Sequence, residues 1–169
     1  MKNRETAIIA GGCFWGMEGL FQRKDGIIDT QVGYTGGHTD NPKYEQVRTG
    51  TTGHSESLQI IFDSTIISYR QILLFFFQIH NPTTLNKQGN DMGNQYRSAI
   101  FYTSDKQKEI ALQTIKDVEE YDYWQGKIVT SIEPATTFWE AEDYHQDYLL
   151  HKPDGYTCHF PRNDWILTK

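Results

Sequence analysis

Residues 55–63, SESLQIIFD, set Glu56, Leu58, Ile60 and Phe62 on one side of an extended chain and Gln59, Ile61 and Asp63 on the other. Side chains alternate across a strand with period two, so this stretch demands a sheet whose apolar face is covered. The residues just downstream supply a cover. Ser68 and Gln71 have capping-box spacing, with Ile67 and Ile72 placed as a hydrophobic staple, and predict a helix through Phe77. The same signal recurs at Ser104 and Gln107, opening a helix that reaches about Glu120. Upstream, TAIIAGG reads as a strand running into a helix that begins near Cys13, and IIDTQVGY as a second strand. Toward the C-terminus come strand SAIFYT, a final strand KIVTSIEP, a short helix EAEDYHQDYLL and a Pro/Gly-punctuated tail. Two polar, Gly-rich stretches, residues 35–53 and 80–97, read as long loops. This interleaved order predicts an α+β fold, a two-layer sandwich of ferredoxin-like type with helices on one face of a mixed sheet.

No internal repeat or low-complexity linker divides the 169 residues, so a single domain over 1–169 is expected, its mobile tail starting at about residue 151. The formal net charge of −6 and the lack of a basic stripe argue against nucleic acid as a partner. The longest apolar run, ILLFFFQI, is too short to span a bilayer and reads as core. The N-terminus makes a poor signal peptide. Two cysteines far apart fit neither a disulfide scaffold nor a zinc site, and His145 and His151, six apart, do not align on one helical face. A cytoplasmic, monomeric protein without a metal is the expectation.

Three features carry chemistry. In GGCFWG, a strand ending at Gly12 and a helix starting near Cys13 would set the thiol over a helix N-terminus. Unpaired N–H groups and the helix dipole there favour a thiolate, and the glycines permit a sharp turn and close approach of another molecule's backbone. A small buried hydrophobe between core aromatics is the alternative, and the residues alone leave both open. Glu56 shares its strand face with Leu58, Ile60 and Phe62, which would desolvate it and keep it protonated, unless it sits solvated at a frayed strand end. Cys158, in GYTCHF, lies in a segment suited to a travelling thiol or to a chance exposed cysteine. Tyr34 is read chiefly as core, and Glu119, Glu120 and Asp122 as a solvated helix end.

GGCFWG, GYTGG with NPKYEQVRTGTTGHSE, HNPTTLNKQGNDMGNQYRSAIFY, and HQDYL with GYTCHF occur here in the order found in the A-type peptide methionine sulfoxide reductases. The chain resembles that family from about Thr6 to Arg162. The resemblance implies a thioredoxin-dependent peptide-methionine (S)-S-oxide reductase that repairs oxidised proteins and acts on free methionine sulfoxide, with no bound cofactor. Cys13 matches the nucleophile that attacks the sulfoxide sulfur, and Glu56 the acid that protonates the departing oxygen. Tyr44 and Tyr96 match the phenols that hydrogen-bond this oxygen, and Phe14 and Trp15 the pocket for the S-methyl group. Asp91 and His54 match residues of the substrate site. Cys158 matches the resolving cysteine, which condenses with the Cys13 sulfenic acid to a disulfide that thioredoxin reduces. Since no cysteine comes after Cys158, the resemblance implies a two-thiol cycle. Asn81 stands where the family usually has Asp, and Lys87 where Arg is common; both are expected to have small effects.

Two rivals share the thiol. A cysteine hydrolase would pair Cys13 with His54, His80 or His145 as base and need no second cysteine. A redox sensor would switch Cys13 and Cys158 without turning over methionine sulfoxide.

Overall fold

The computed structural model describes residues 3–124, 126–157 and 159–162. Its centre is an antiparallel pair, β1 (Arg4–Gly11) and β3 (Ser55–Asp63), joined from Arg4 opposite Asp63 to Ile9 opposite Leu58. Strand β2 (Ile27–Thr35) adds antiparallel to β3. On the other side β6 (Ser98–Tyr102) pairs antiparallel with β1, and β7 (Ser131–Pro134) lies parallel to β6. A two-residue strand, β8 (Trp139–Glu140), closes the far edge beside β2, giving the order β7-β6-β1-β3-β2-β8. The fold is α+β with a mixed, mostly antiparallel sheet.

The period of two divides the sheet into two chemically separate faces. Ala7 and Ile9 of β1 join Val32, Leu58, Ile60, Phe62 and Ile100 in the main core, whereas Ile8 and Ala10 join Ala99 and Phe101 in a smaller cluster behind it. The main core is covered by α1 (Phe14–Phe21), α3 (Tyr69–Ile79) and α4 (Asp105–Tyr121). Leu58, Ile60 and Phe62 are fully buried, each contributing about 1.5–3 kcal/mol of transfer free energy. The run Leu73–Phe77 is buried throughout because α3 touches the sheet on one side and α1 and α4 on others; Phe21 meets Phe75 edge-on at 5.1 Å.

Local signals set the helix starts. Ser68 Oγ accepts the Gln71 N–H at 3.0 Å while Gln71 Oε1 accepts the Ser68 N–H at 2.8 Å, a reciprocal cap. Ser104 Oγ accepts the Gln107 N–H, but Gln107 Oε1 takes the N–H of Thr103 rather than that of the cap residue.

The structure departs from the sequence reading in four places. KIVTSIEP is strand only over Ser131–Pro134, and it is not the last strand, since β8 comes after it. EAEDYHQDYLL is not one helix: a 3-10 turn (Asp143–His145) and a single turn, α5 (Tyr148–His151), flank Asp147 at φ +53°. The cause is tertiary. Gln146 turns its amide to the sheet, accepting the Val32 N–H and donating to the Val32 and Ala141 carbonyls, which outweighs a continuous helix. The loop 35–53 contains a helical turn, α2 (Tyr44–Val47). The loop 80–97 contains a hairpin of β4 (Lys87–Gln88) and β5 (Asp91–Met92), then a 3-10 turn (Asn94–Tyr96). At the head of this loop Asn81 Oδ1 accepts both the N–H and the hydroxyl of Thr83, which a carboxylate oxygen would do equally well. Lys87 is exposed. No helix among the described residues is long and apolar enough to cross a membrane.

Candidate active site

Strand β1 ends at Gly11, and Gly12 at φ +100° swings the chain so that Cys13 is the N-cap residue of α1. The thiol thus sits at the helix start, 7 % exposed. Glu56 comes to the same place from β3: the Phe14 N–H, first in the helix, donates to Glu56 Oε1 at 3.2 Å. Glu56 is buried, and burial pushes its pKa up to about 8, with the Asp91 charge adding and the Phe14 N–H opposing. Its carboxyl is therefore mainly protonated at neutral pH. A thiol and a neutral acid share one helix terminus.

Two phenols approach from the two long loops. Tyr44 begins α2, and its N–H donates to Glu142 Oε2 at 2.9 Å. Tyr96 ends the 3-10 turn, which is tied to the end of α2 by Asn94 Nδ2 donating to the Gly50 carbonyl and Gln95 Nε2 to that of Arg48. These amides couple the loop carrying Tyr96 to the loop carrying Tyr44. Burial raises both phenol pKa values, with the Glu56 and Cys13 charges adding, so both hydroxyls stay protonated donors.

Phe14 and Trp15 form an aromatic wall. The Trp15 indole N–H donates to His145 Nδ1 at 3.0 Å, and Tyr148 stacks on the indole with centroids 3.7 Å apart. His145 also packs against Phe14, Tyr44 and Tyr144. Taking the indole proton's hydrogen bond fixes Nδ1 as acceptor, and burial holds the imidazole pKa below its ordinary value. Behind the wall, Glu18 of α1 accepts the Asp147 N–H at 2.8 Å and the Thr30 hydroxyl at 2.9 Å, so both His145 and Tyr148 hang from a hinge pinned to α1.

Cys13, Phe14, Trp15, Tyr44, Glu56, Asp91, Tyr96 and Tyr156 line one cleft of about 280 Å³. Seven of these are residues that the sequence singled out. Tyr156 is not: its hydroxyl donates to Asp91 Oδ2 at 3.1 Å across the cleft, and its place beside Cys158 in GYTCHF was the available clue. His145 entered the sequence reading only as a possible hydrolase base and an improbable metal ligand, not as a support of the aromatic wall, although HQDYL belongs to the matched motifs. His54 does not line the cleft. Its buried ring accepts the Gly37 N–H at Nδ1 and meets the Thr39 carbonyl at Nε2, fastening the loop that carries Tyr44. Tyr34 is fully buried and donates to Glu142. Cys158 lies outside the described residues.

The glycines of GGCFWG serve a partner within the chain. His159, buried, directs Nε2–H to the Gly11 carbonyl at 2.6 Å. A Cβ on Gly16 would collide with Thr157 Oγ1 and come within 2.6 Å of His159 Nδ1. What crowds Gly12 and Gly16 is not another molecule's backbone but side chains of the protein's own C-terminal segment and, at Gly12, of Gln88. Further along, Arg162 lies 4.3 Å from both the Trp124 and Phe160 rings and donates to the Gln78 carbonyl, so the described part of the tail is tied down.

None of the imidazoles a hydrolase would use lines the cleft. His80 is buried, hydrogen-bonded to the Phe76 carbonyl and Ser98 Oγ, with its pKa pushed down to about 3 by burial. His54 is occupied by the loop backbone, and His145 gives Nδ1 to Trp15.

Comparison with known proteins identifies the family. Residues 5–166 match the family model described as "Peptide methionine sulfoxide reductase". The peptide methionine sulfoxide reductase MsrA of Mycobacterium sp. (strain MCS) is 55% identical over 169 residues, covering 100% of this chain and 96% of the relative. The crystal structure of Mxr1 from Saccharomyces cerevisiae in reduced form superposes with a TM-score of 0.87 at 41% identity, covering 95% of this chain and 93% of that one. Mxr1 in complex with Trx2 matches with a TM-score of 0.63 at 29% identity, covering 95% and 91%. With such identity running through nearly the whole of both chains, this protein belongs to the peptide methionine sulfoxide reductase family.

Proposed function

We propose that the protein reduces methionine S-sulfoxide, free or within proteins, by direct attack of Cys13 on the sulfoxide sulfur. The observation that carries this is the meeting of Cys13 and a neutral Glu56 at the start of α1. Displacement at sulfur needs a nucleophile and also a proton for the oxygen, because oxide is a prohibitive leaving group. A thiolate and a protonated carboxyl must coexist near neutral pH, which requires environments that push their pKa values apart. Tyr44 and Tyr96 donate to the oxygen as its charge develops, without being consumed.

Phe14 and Trp15 receive the S-methyl group, an apolar contact that the stacked Tyr148 and the His145 acceptor hold in place. With methyl at the aromatic wall, oxygen at the phenols and sulfur at Cys13, only one direction is left for the rest of the methionine, toward Asp91 and Tyr156. Three fixed contacts at a chiral sulfur select one epimer, and the family resemblance makes it the S form. His54 acts through the loop it fastens rather than on the substrate.

Loss of the protonated oxygen as water leaves Cys13 bonded to a sulfonium. A water molecule then adds to the Cys13 sulfur, the S–S bond breaks with methionine as the leaving group, a proton is released, and Cys13 is left as a sulfenic acid. Cys158 condenses with it, forming the Cys13–Cys158 disulfide and releasing water. Thioredoxin then reduces this disulfide; the solved complex of Mxr1 with Trx2 supports that partner. The cycle uses no metal or bound organic cofactor. We further read the whole chain, 1–169, as one monomeric, cytoplasmic reductase domain of ferredoxin-like, two-layer build. The order β6-β1-β3-β2, with α1 after β1 and α3 after β3, supports that reading.

A single-turnover experiment on pre-reduced protein tests the proposal. Separated S and R epimers of a methionine sulfoxide peptide are supplied without reductant. The expected result is about one methionine per enzyme from the S epimer alone, with Cys13 joined to Cys158 in the peptide map, because each disulfide accounts for one sulfoxide. No methionine from either epimer, with both thiols intact, would overturn it.

A further inference from the structure

The residues on either side of Cys158 in the sequence, Thr157 and His159, both rest on the GGCFWG segment that carries Cys13, His159 at Gly11 on the turn and Thr157 at Gly16 in the first turn of α1. The His159 ring is 5 % exposed and is seated by its bond to the Gly11 carbonyl, two residues before the nucleophile. A Cβ on Gly12 would lie 3.4 Å from His159 Nε2, and one on Gly16 would run into Thr157 and His159 together. Thr157 Oγ1 accepts the His159 N–H at 3.1 Å, linking the two across the single residue between them. Burial pushes the His159 pKa down to about 4, so the ring is neutral at physiological pH; the Gly11 carbonyl then fixes the proton on Nε2.

We propose that His159 is a positioning residue for the second half of the cycle, docking the C-terminal segment on the β1–α1 turn so that the Cys158 thiol meets the Cys13 sulfenic acid. The inference rests on the reading of Cys158 as the resolving cysteine. The step it serves forms one S–S bond and breaks the S–O bond of the sulfenic acid; the thiol proton leaves with that oxygen as water. Neither the sulfoxide cleft nor its donors include His159, so its effect falls after methionine has formed. Arg162, held between Trp124 and Phe160, anchors the same segment farther along.

The test separates the two halves in time. Pre-reduced protein is mixed with one equivalent of S-sulfoxide peptide, quenched at intervals and alkylated; methionine, remaining thiols and dimedone-trapped sulfenic acid are then counted by mass spectrometry. In His159→Ala the methionine burst is expected to stay within about twofold of wild type, while disulfide formation slows about tenfold or more and Cys13 sulfenic acid accumulates, since lost orientation acts on the intramolecular step alone. His159→Gln, which keeps an N–H donor, is expected to recover part of the rate. Gly16→Ala approaches from the other side: alanine favours the helix by about 1 kcal/mol yet displaces Thr157 and His159, so a stable fold with the same delayed disulfide is expected. Disulfide formation at the wild-type rate in both His159→Ala and Gly16→Ala would overturn the proposal, as would a proportional loss of both steps. If wild type itself forms methionine but no Cys13–Cys158 disulfide, the reading of Cys158 fails first and the role of His159 falls with it.

Discussion

The Glu56 carboxyl lies 3.2 Å from the first helical N–H of α1, one residue beyond the Cys13 thiol, and burial keeps that carboxyl protonated up to about pH 8. If Glu56 is the proton donor, its acid form is the active one. Activity therefore falls as pH rises through about 8 and this limb belongs to Glu56. Glu56→Gln is expected to lose about a hundredfold or more in kcat and to lose that limb. A pH–rate profile of methionine formation under single-turnover conditions decides it; an unchanged limb in the variant removes Glu56 from the role.

Tyr44 and Tyr96 reach the cleft from two loops that are joined through the Asn94 and Gln95 amides and not through the phenols, so each hydroxyl can be deleted without breaking that joint. Tyr44→Phe and Tyr96→Phe are each expected to lower kcat by about a hundredfold with little change in KM, as for removal of one donor to a developing oxyanion. The double variant should lose more than either alone. Steady-state kinetics with a dithiol reductant measure it, and an effect confined to KM would mean that the phenols bind the ground state only.

Across the cleft, Tyr156 stabilises the Asp91 charge by hydrogen bonding while burial raises the Asp91 pKa. In the proposed substrate pose both groups face the direction left open to the main chain. Asp91→Asn is expected to raise KM for a peptide sulfoxide about tenfold with kcat nearly unchanged, corresponding to about 1.4 kcal/mol of uniform binding. A fall in kcat at constant KM would instead put Asp91 in the chemical step.

Glu18 is 1 % exposed and supports the Asp147 N–H behind the aromatic wall. Removing the acceptor in Glu18→Ala should cost about 1–3 kcal/mol of stability, measured by urea unfolding. Burial raises the Glu18 pKa above its ordinary value. A raised carboxyl pKa means stability is fully present below the unfolded pKa and lost as pH rises through the folded one. Glu18→Gln removes that loss, so its stability relative to wild type should increase as pH is raised from 4 toward neutrality. A difference that stays flat or declines contradicts the assigned shift.

Whatever a local period or a local hydrogen bond decides was legible in the sequence. The alternation of SESLQIIFD, the caps at Ser68 and Ser104 and the strand-to-helix turn at Gly12 all reappear because they depend on neighbours a few residues away. The interior of the two long loops was not legible, since their shape arises from left-handed residues such as Asn86 and Gly93 and from amides such as Gln95 reaching back to Arg48. His54 enters the substrate site only through the resemblance, as the histidine of the glutamate motif; Gly53 at φ +75° turns the chain before β3, and the ring faces the loop instead. Glu18, His145 and Tyr156 act through contacts spanning 65 or more residues, which no spacing rule encodes.

The side chain of Gln146 does more than interrupt a helix. By taking the Val32 N–H and giving its own to the Val32 carbonyl, it imitates a strand partner beside the two-residue β8. Sheet borders with open amides invite other chains to add on. Over Val32–Tyr34 that border is already sealed, so an extended segment of another chain finds no open amides there to join as an extra strand.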